Sequence, residues 1–236
     1  MRLCTSLLAL AAASCFATTT QAQTLLGGGK TAPTFPIVIS QSGSYKLAGN
    51  LNVPSGVDGI VIGNGANVTL DLGGYQLSGA AACTKAGCGG APQSIGIKIG
   101  GNAVMHVFNG AVRGFGLYGI GIDSQSPAST VMAEDLMVTG NFNGVFLAQL
   151  TAHRVVAQNN AAHGINATHG LIAASTAYNN GATGISMNYG LVRDSRSLFN
   201  AVGFEHFSGV AEGNMSINNA QGNKIGTIVQ SMNAFY

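Results

Sequence analysis

Tryptophan is absent from this sequence, so stacking against a sugar or a base falls to its 6 tyrosines and 10 phenylalanines. Charge is scarce as well, with 10 Lys and Arg against 8 Asp and Glu, and a formal net charge of +2. The basic residues are scattered singly. With no basic tract to grip a phosphate backbone, a nucleic-acid partner is excluded. The acidic residues, Asp58, Asp71, Asp123, Glu134, Asp135, Asp194, Glu205 and Glu212, form no dense carboxylate group in the sequence. A second long apolar run is also missing. After Leu3–Phe16 nothing is continuously apolar enough to cross a bilayer.

What is abundant is glycine, at 35 residues, in a chain that is 46% hydrophobic. The hydrophobic share and low charge exclude ordinary disorder. Glycine without a three-residue period excludes collagen. The length suits one domain. Arg2, the apolar run Leu3–Phe16 and the small residues up to Ala22 read as an export signal over residues 1–22, with a periplasmic or extracellular destination and no transmembrane segment left after its removal. Cys15 follows Ala-Ala-Ser, a weak lipoprotein pattern that offers an alternative anchor. Cys4 and Cys15 leave with the signal. Cys83 and Cys88 remain, in GAAACTKAGCGGAPQ, and an exported chain can oxidise them to a disulfide that ties down a loop. Two free thiols are the other reading. A metal site would need further ligands, and none cluster nearby, so no metal is expected.

The organising stretch runs from Gly144 to Gly222. Gly144, Gly164, Gly184 and Gly203 open four units, and Asn160, Asn180, Asn200 and Asn219 close them. Units of about 20 residues with short β-prone runs predict a solenoid with one coil per repeat. The closing asparagines should stack about 4.8 Å apart, each amide bonding its own turn and the next amide. Upstream, GIVIGNGANVTLDLGGYQLSG reads as a first clear coil, with Ile60, Ile62, Val68, Leu70, Leu72, Tyr75 and Leu77 inward. Asp71 reads there as an outward or turn-capping residue. Residues 23–36 read as a linker or N-terminal arm, and its GGGK lacks the pattern of a phosphate loop. Ile37–Val53 reads as a cap of two short strands, covering the open end. Gly79–Ser94 and Asp123–Thr130 are expanded loops, and Asn223–Tyr236 supplies a partial last coil. In the regular units the seventh, eighth and fourteenth positions are mostly apolar, the last being Gln158, Tyr178, Leu198 and Ile217, and are expected to share the core.

These motifs resemble the right-handed parallel β-helix superfamily of pectate lyases, polygalacturonases and NosD-like repeat proteins. The resemblance rests on SYKLAGNLNV, GIVIGNGANVTLDLGGYQLSG and the Asn-rich repeats through Asn219, and covers about Ile37 to Ile228. It implies an all-β, single-stranded parallel β-helix over residues 37–236, with about seven to eight coils. Members include lyases, hydrolases, epimerases and noncatalytic adhesins, so the fold selects no reaction. The acidic and basic set of a polygalacturonase finds no match. Neither does an acidic calcium cluster, so no cofactor is expected unless the protein is a lyase, for which calcium is the implied ion.

Two outward columns remain. The ninth repeat position holds His153, Ala173, Arg193 and Glu212, with Arg193 and Glu212 expected to form an ion pair. The second position of each first strand holds Phe146, Asn166, Ser186 and Glu205, with His169, Tyr189 and His206 nearby; His206 could instead face inward beside Phe204. This second strip is the expected carbohydrate-facing surface. Asn166, His169, Tyr189 and Glu205 are the substrate-binding candidates, and Arg193, Glu205 and His206 the catalytic ones. The main expectation is an exported noncatalytic protein for glycan or surface binding, adhesion or assembly. The alternative is a polysaccharide lyase or glycoside hydrolase acting on an extended glycan, acidic glycans included.

Overall fold

A computed structural model describes residues 23–29, 32–122, 128–231 and 234–235. The export signal with Cys4 and Cys15, and residues 123–127 of the second expansion with Asp123, lie outside the described residues. The chain is an all-β, right-handed parallel β-helix. Each rung contributes a strand to three faces. Rung 1 consists of Ile37–Ile39, Gly43–Leu47 and Leu51–Asn52 on the first, second and third faces, and rung 2 of Ile60–Ile62, Asn67–Asp71 and Gln76–Ser78. From rung 3, Ile95–Ile99 and Val104–Arg113, the last two faces run together; rung 4 is Tyr118–Ile122 and Thr130–Thr139. Rung 5, Asn143–Gln158, is a single strand bent over all three faces. Rungs 6 to 8 are Ile165–Ala173 with Thr176–Tyr178, Thr183–Arg193 with Arg196–Leu198, and Val202–Glu212 with Met215–Ile217. Lys224–Ser231 and Ala234–Phe235 add a ninth rung. The expected seven to eight coils are present as rungs 2 to 9, and the segment read as a cap is itself a further coil, rung 1, which pairs in parallel with rung 2. Thr24–Leu26, from the stretch read as an arm, adds a further parallel strand below the second face of rung 1.

The register follows the repeat. Ile165 lies opposite Ile185, which lies opposite Phe204. Alternation then fills the core. Ile60, Ile62, Leu70, Leu72, Leu77, Ile97 and Ile99 are all fully buried. Tyr75, expected inward, is exposed on a turn beside Gly73 and Gly74. Thr151, Leu171, Leu191 and Val210 at the seventh repeat position, expected in the core, face outward beside the buried eighth position. The fourteenth repeat position is also corrected. Ala157, Ala177, Ser197 and Ser216 point inward, while Gln158, Tyr178, Leu198 and Ile217 point out. The cause is the corner between the second and third faces. There Arg154, Ala174 and Asp194 take the left-handed conformation, with φ of 53°, 49° and 51°. One such residue uncouples the alternation of the two strands and shifts the later face by one.

The repeat-opening glycines are required for space rather than for positive φ. A Cβ on Gly144 would stand 2.4 Å from the Gly164 carbonyl oxygen, and one on Gly164 2.6 Å from that of Gly184. A second column combines both demands. Gly170, Gly190 and Gly209 have φ of 132°, 142° and 133°, and a Cβ there would meet the preceding rung's carbonyl at 1.9–2.1 Å.

The asparagine ladder is present and one rung longer than expected. Asn180 Oδ1 accepts from the Asn160 backbone N–H at 3.0 Å and from its Nδ2 at 2.9 Å. Asn200 does the same for Asn180, and Asn219 for Asn200. Each Nδ2 also donates to the carbonyl of Val138, Ala157 or Ala177, at 3.0–3.2 Å. Asn141 joins upstream, donating to Asn160 Oδ1. Ser175, Ser195 and Asn214 form a second ladder at the opposite corner.

The Cys83–Cys88 disulfide forms, closing a hairpin within the 79–94 excursion that also carries an antiparallel bridge between Thr84 and Gly87. That loop runs along the corner between the third and first faces, where Lys85 Nζ donates to the Phe199 carbonyl on rung 7.

Replacing Asn180 by Ala strands the buried Asn160 N–H and takes one hydrogen bond each from Asn160 Nδ2, Asn200 Oδ1 and the Ala157 carbonyl. We expect a loss of about 3 kcal/mol of unfolding free energy in urea titration. Asn188→Ala, on the outer bend between the first two faces, should stay within about 0.5 kcal/mol.

Candidate functional site

The outward columns of the first two faces carry the chemistry. On the first face, Phe146, Asn166, Ser186, Glu205 and Lys224 lie in register on successive rungs. Glu205 accepts a hydrogen bond from Thr183 Oγ1 at 3.1 Å. Upstream in this column stand Lys98 and Gly121. Gly121 leaves a gap over which the Tyr118 ring lies, stacked on Phe146 with centroids 4.9 Å apart and planes at 12°. Burial pushes the Tyr118 phenol above its ordinary pKa.

On the second face, one column runs Lys46, Asp71, Phe108, Glu134, His153, Ala173, Arg193 and Glu212. Asp71 has the capping role expected of it. Its Oδ1 accepts from the Gly73 N–H at 2.7 Å and from Asn109 Nδ2 at 3.1 Å, and Lys46 Nζ lies 2.9 Å from Oδ2. Burial alone would raise this carboxyl's pKa. The Lys46, Gly73 and Asn109 hydrogen bonds, with the Lys46 charge, outweigh it and hold the pKa below the ordinary value.

Two rungs on, three side chains converge. Glu134 Oε2 accepts from His106 Nε2 at 2.8 Å, and Glu134 Oε1 lies 3.7 Å from His153 Nδ1. The His106 ring stacks on Phe108, with centroids 4.7 Å apart. At the adjoining corner Arg154 clamps Asp135 through two hydrogen bonds, at 2.5 and 2.7 Å, and turns Nη1 to the His153 ring. That clamp, chiefly its hydrogen bonding, lowers the Asp135 pKa and raises that of Arg154. Beside the cluster lies an open depression of about 280 Å³, lined by Asn67, Val104, His106, Thr130, Met132 and Thr151. Val104 and Met132 expose an apolar shelf there. Farther down the same face the rings of His169 and Tyr189 stack, with centroids 5.1 Å apart.

The candidates read from the sequence separate. Asn166 and Glu205 share the first-face column, two rungs or about 10 Å apart. His169 and Tyr189 come together on the second face. Arg193 lies at that face's far edge, in register with Glu212, yet among the described residues no ion pair joins them. His206 points into the core in line with Met187; it is 2% exposed and contacts the Ser208 carbonyl through Nε2 at 3.1 Å. Arg193, Glu205 and His206 therefore form no common site. The His106–Glu134–His153 convergence was missed because it lies on rungs 3 to 5, and the repeat alignment began at Gly144. Aligning MHVFN, VMAED and LTAHR would have found it, since Met105, Val131 and Leu150 are in register. Among the described residues no group of three or more His, Cys, Asp or Glu could hold a metal ion, so the calcium implied by a lyase reading finds no donor set here. Among them, too, no helix is long and apolar enough to cross a membrane.

No family model and no curated protein sequence matches this chain. Two solved structures resemble it. The full-length tailspike protein 2 of Escherichia coli O157:H7 bacteriophage CAB120 superimposes with a TM-score of 0.50 at 13% identity, over 90% of this chain and 33% of the tailspike. The Dettilon tailspike protein gives a TM-score of 0.49 at 15% identity, over 83% of this chain and 50% of that one. The chain thus spans a third to a half of the length of these proteins. At such identity the likeness defines a class, the right-handed parallel β-helix, and leaves the pectate-lyase and NosD resemblance at the level of the fold.

The buried histidines generate a pH dependence. Burial lowers the pKa of His206, against the hydrogen bonds of the Ser208 and Gly190 carbonyls, and lowers that of His163 against the attraction of Glu205. Both therefore stay neutral in the folded chain at a pH where the unfolded chain already binds protons. Stability is full above the unfolded value of 6.5 and falls as pH drops below it. Melting temperature should decline between about pH 7 and about pH 5, and His206→Met should flatten the decline. An unchanged slope in that variant would remove His206 as a cause.

Proposed function

We propose that the protein engages an extended glycan along its second face and cleaves it by β-elimination at the His106–Glu134–His153 set. The observation that carries this reading is the convergence of two imidazoles on one carboxylate, beside an open apolar shelf on a strand-lined face. Glu134 accepts from His106 Nε2–H, which fixes the tautomer whose Nδ1 is basic. Such a base takes the proton α to a uronate carboxyl. The electron pair left behind forms the C=C bond as the glycosidic C–O bond breaks, and the imidazolium that His106 has become returns the same proton to the departing oxygen. The Arg154 guanidinium beside His153 adds positive charge where the substrate carboxylate gains negative charge as the α proton leaves. Hydrolysis is supported less well, since it calls for two carboxyl groups flanking the bond. Of the nearby acids, Asp135 is clamped by Arg154 and Asp71 by Lys46. The His169–Tyr189 stack offers a ring surface for a sugar farther along the polymer.

The test is incubation of the chain with acidic and neutral glycans, following ultraviolet-absorbing unsaturated ends and reducing ends together. Unsaturated ends are expected from an acidic glycan, and His106→Ala and Glu134→Gln should each slow their appearance by about 100-fold or more. Reducing ends without unsaturation would establish hydrolysis instead. Binding without either product would return the protein to the noncatalytic reading.

A further inference from the structure

The loop closed by the Cys83–Cys88 disulfide borders a second concave site, at the corner between the third and first faces. An open cavity of about 280 Å³ is lined there by Ala81, Ala82, Cys83, Arg113, Thr139 and Asn159, among others. Its form follows from the strand ends of three rungs. Arg113 closes the third-face strand of rung 3, Thr139 lies in register with it on rung 4, and Asn159 follows the last strand residue of rung 5. The loop is held against these ends by backbone hydrogen bonds of 2.8 Å, from the Gly79 N–H to the Arg113 carbonyl and from the Ala81 N–H to the Gly114 carbonyl. The disulfide fixes the loop's own shape.

The polar side chains around the cavity are rich in donors. The exposed Arg113 guanidinium makes no hydrogen bond or ion pair among the described residues, and neither does the Thr139 hydroxyl. Asn159 Oδ1 accepts from Asn179 Nδ2 at 2.7 Å, which leaves the Asn159 amide hydrogens to donate. No acid opposes them on that face. Across rungs 2 to 8 its outward positions carry two charged side chains, Arg113 and Arg196, and no carboxylate. Asp135 and Asp194 stand at the far edge, where the face begins, and Asp135 is clamped by Arg154. The loop brings Lys85 and no acid, and Lys85 is committed to the Phe199 carbonyl. One free guanidinium with two neutral partners selects a monoanion, and its planar fork matches a carboxylate. A phosphate monoester, with about two negative charges, would call for a second cation. The Ala81 and Ala82 methyls beside the disulfide offer an apolar wall to a carbon skeleton, and a cleft with a few convergent polar groups is the general form of a ligand site.

The geometry points to a binding site for a single uronate residue, its carboxylate on Arg113 and its hydroxyls on Thr139 and Asn159, against the wall of the disulfide loop. The choice of a sugar acid rests on the glycan reading above; the preference for a carboxylate rests on the cavity alone, whose residues are separate from the cleavage set. A second point of attachment of this kind holds an acidic polymer to the protein between cuts.

Titration of the full chain with galacturonate and glucuronate tests the site by calorimetry and by ligand-observed NMR, with methyl galactoside and methyl glucoside as neutral comparisons and galactose 1-phosphate as the dianionic one. At least one uronate should bind saturably and more tightly than the neutral pyranosides and the phosphate. Arg113→Ala should weaken it by about tenfold or more, and Thr139→Val in the same direction by less. Arg113→Lys should recover part of the loss, since a point charge keeps the attraction without the fork. Glu134→Gln should leave the affinity unchanged. Arg113 is exposed, so its variants read the site without disturbing the winding. No saturable uronate binding, a neutral pyranoside or the phosphate bound as tightly, or unchanged affinity in Arg113→Ala would overturn the proposal. Uronate binding lost in Glu134→Gln and kept in Arg113→Ala would overturn it too, by placing the ligand at the cleavage set. Uronate binding that depends on Arg113, with no unsaturated product from any glycan, would leave this site standing while the cleavage reading fell.

Discussion

At the corner between the third and first faces, the chain turns inward past buried backbone N–H groups that no strand can satisfy. The asparagine amides are placed there. Each Oδ1 accepts the N–H and the Nδ2 of the asparagine on the preceding rung, and each Nδ2 also donates to a carbonyl of that same preceding rung. An unpaired buried donor costs about 1–3 kcal/mol, so a missing amide damages two rungs at once. The ladder also fixes where the first-face strand begins on each rung, and with it the height of every outward side chain on the faces that follow.

Parallel stacking imposes a second condition. Residues in one column share a backbone conformation, whatever their side chains. That is why Asp135, Arg154, Ala174 and Asp194, which include acids, a base and a bare methyl, all stand at φ near 50°. It is also why the sequence discloses the fold far better than the site. Glycine and asparagine mark columns where geometry permits little else, and Gly144, Gly164, Asn160 and Asn180 could be aligned by eye. Inward alternation was legible at the eighth position, Ala152, Ile172, Val192 and Ala211, but not at the seventh, where Thr151, Leu171, Leu191 and Val210 face out, and beyond each corner a left-handed residue inside an apparently continuous β-run shifts the phase. Tyr178 and Leu198 were therefore placed in the core when they lie outside it. Ala157 and Ala177, small enough to pass unnoticed, fill the core instead.

The site was less legible for a related reason. Its groups are far apart in sequence and meet through register: His106 is 28 residues from Glu134. Register across rungs 3 to 5 depends on how the Asp123–Thr130 expansion is counted, and a miscount by one residue moves Glu134 to the opposite face. Arg193 and Glu212 show the converse. Their register was read correctly, but adjacency on an exposed face, about 4.8 Å between backbones, does not compel two long side chains to pair.

Charge is distributed unevenly along the helix, and this bears on how the faces are used. Among the described residues the ion pairs, Lys46–Asp71, Lys98–Asp58, His106–Glu134, His153–Glu134 and Arg154–Asp135, fall on rungs 1 to 5 or the turns feeding them. The later rungs carry the longest uninterrupted amide ladder and the glycine column. A solenoid in which each rung contacts only its neighbours would transmit little between such halves. The disulfide-closed loop is the exception. It leaves the chain after rung 2, lays the Lys85 carbonyl against Gly181 at the turn into rung 7, and sets the Lys85 ammonium on the Phe199 carbonyl. A contact spanning 114 residues ties the charged end to the laddered end. The disulfide shortens the tether that makes this contact, so the loop's ordering cost is reduced before Lys85 docks. The loop therefore braces the long axis at the corner beside the first face, and the second face, with the His106–Glu134–His153 set, is left open along its length.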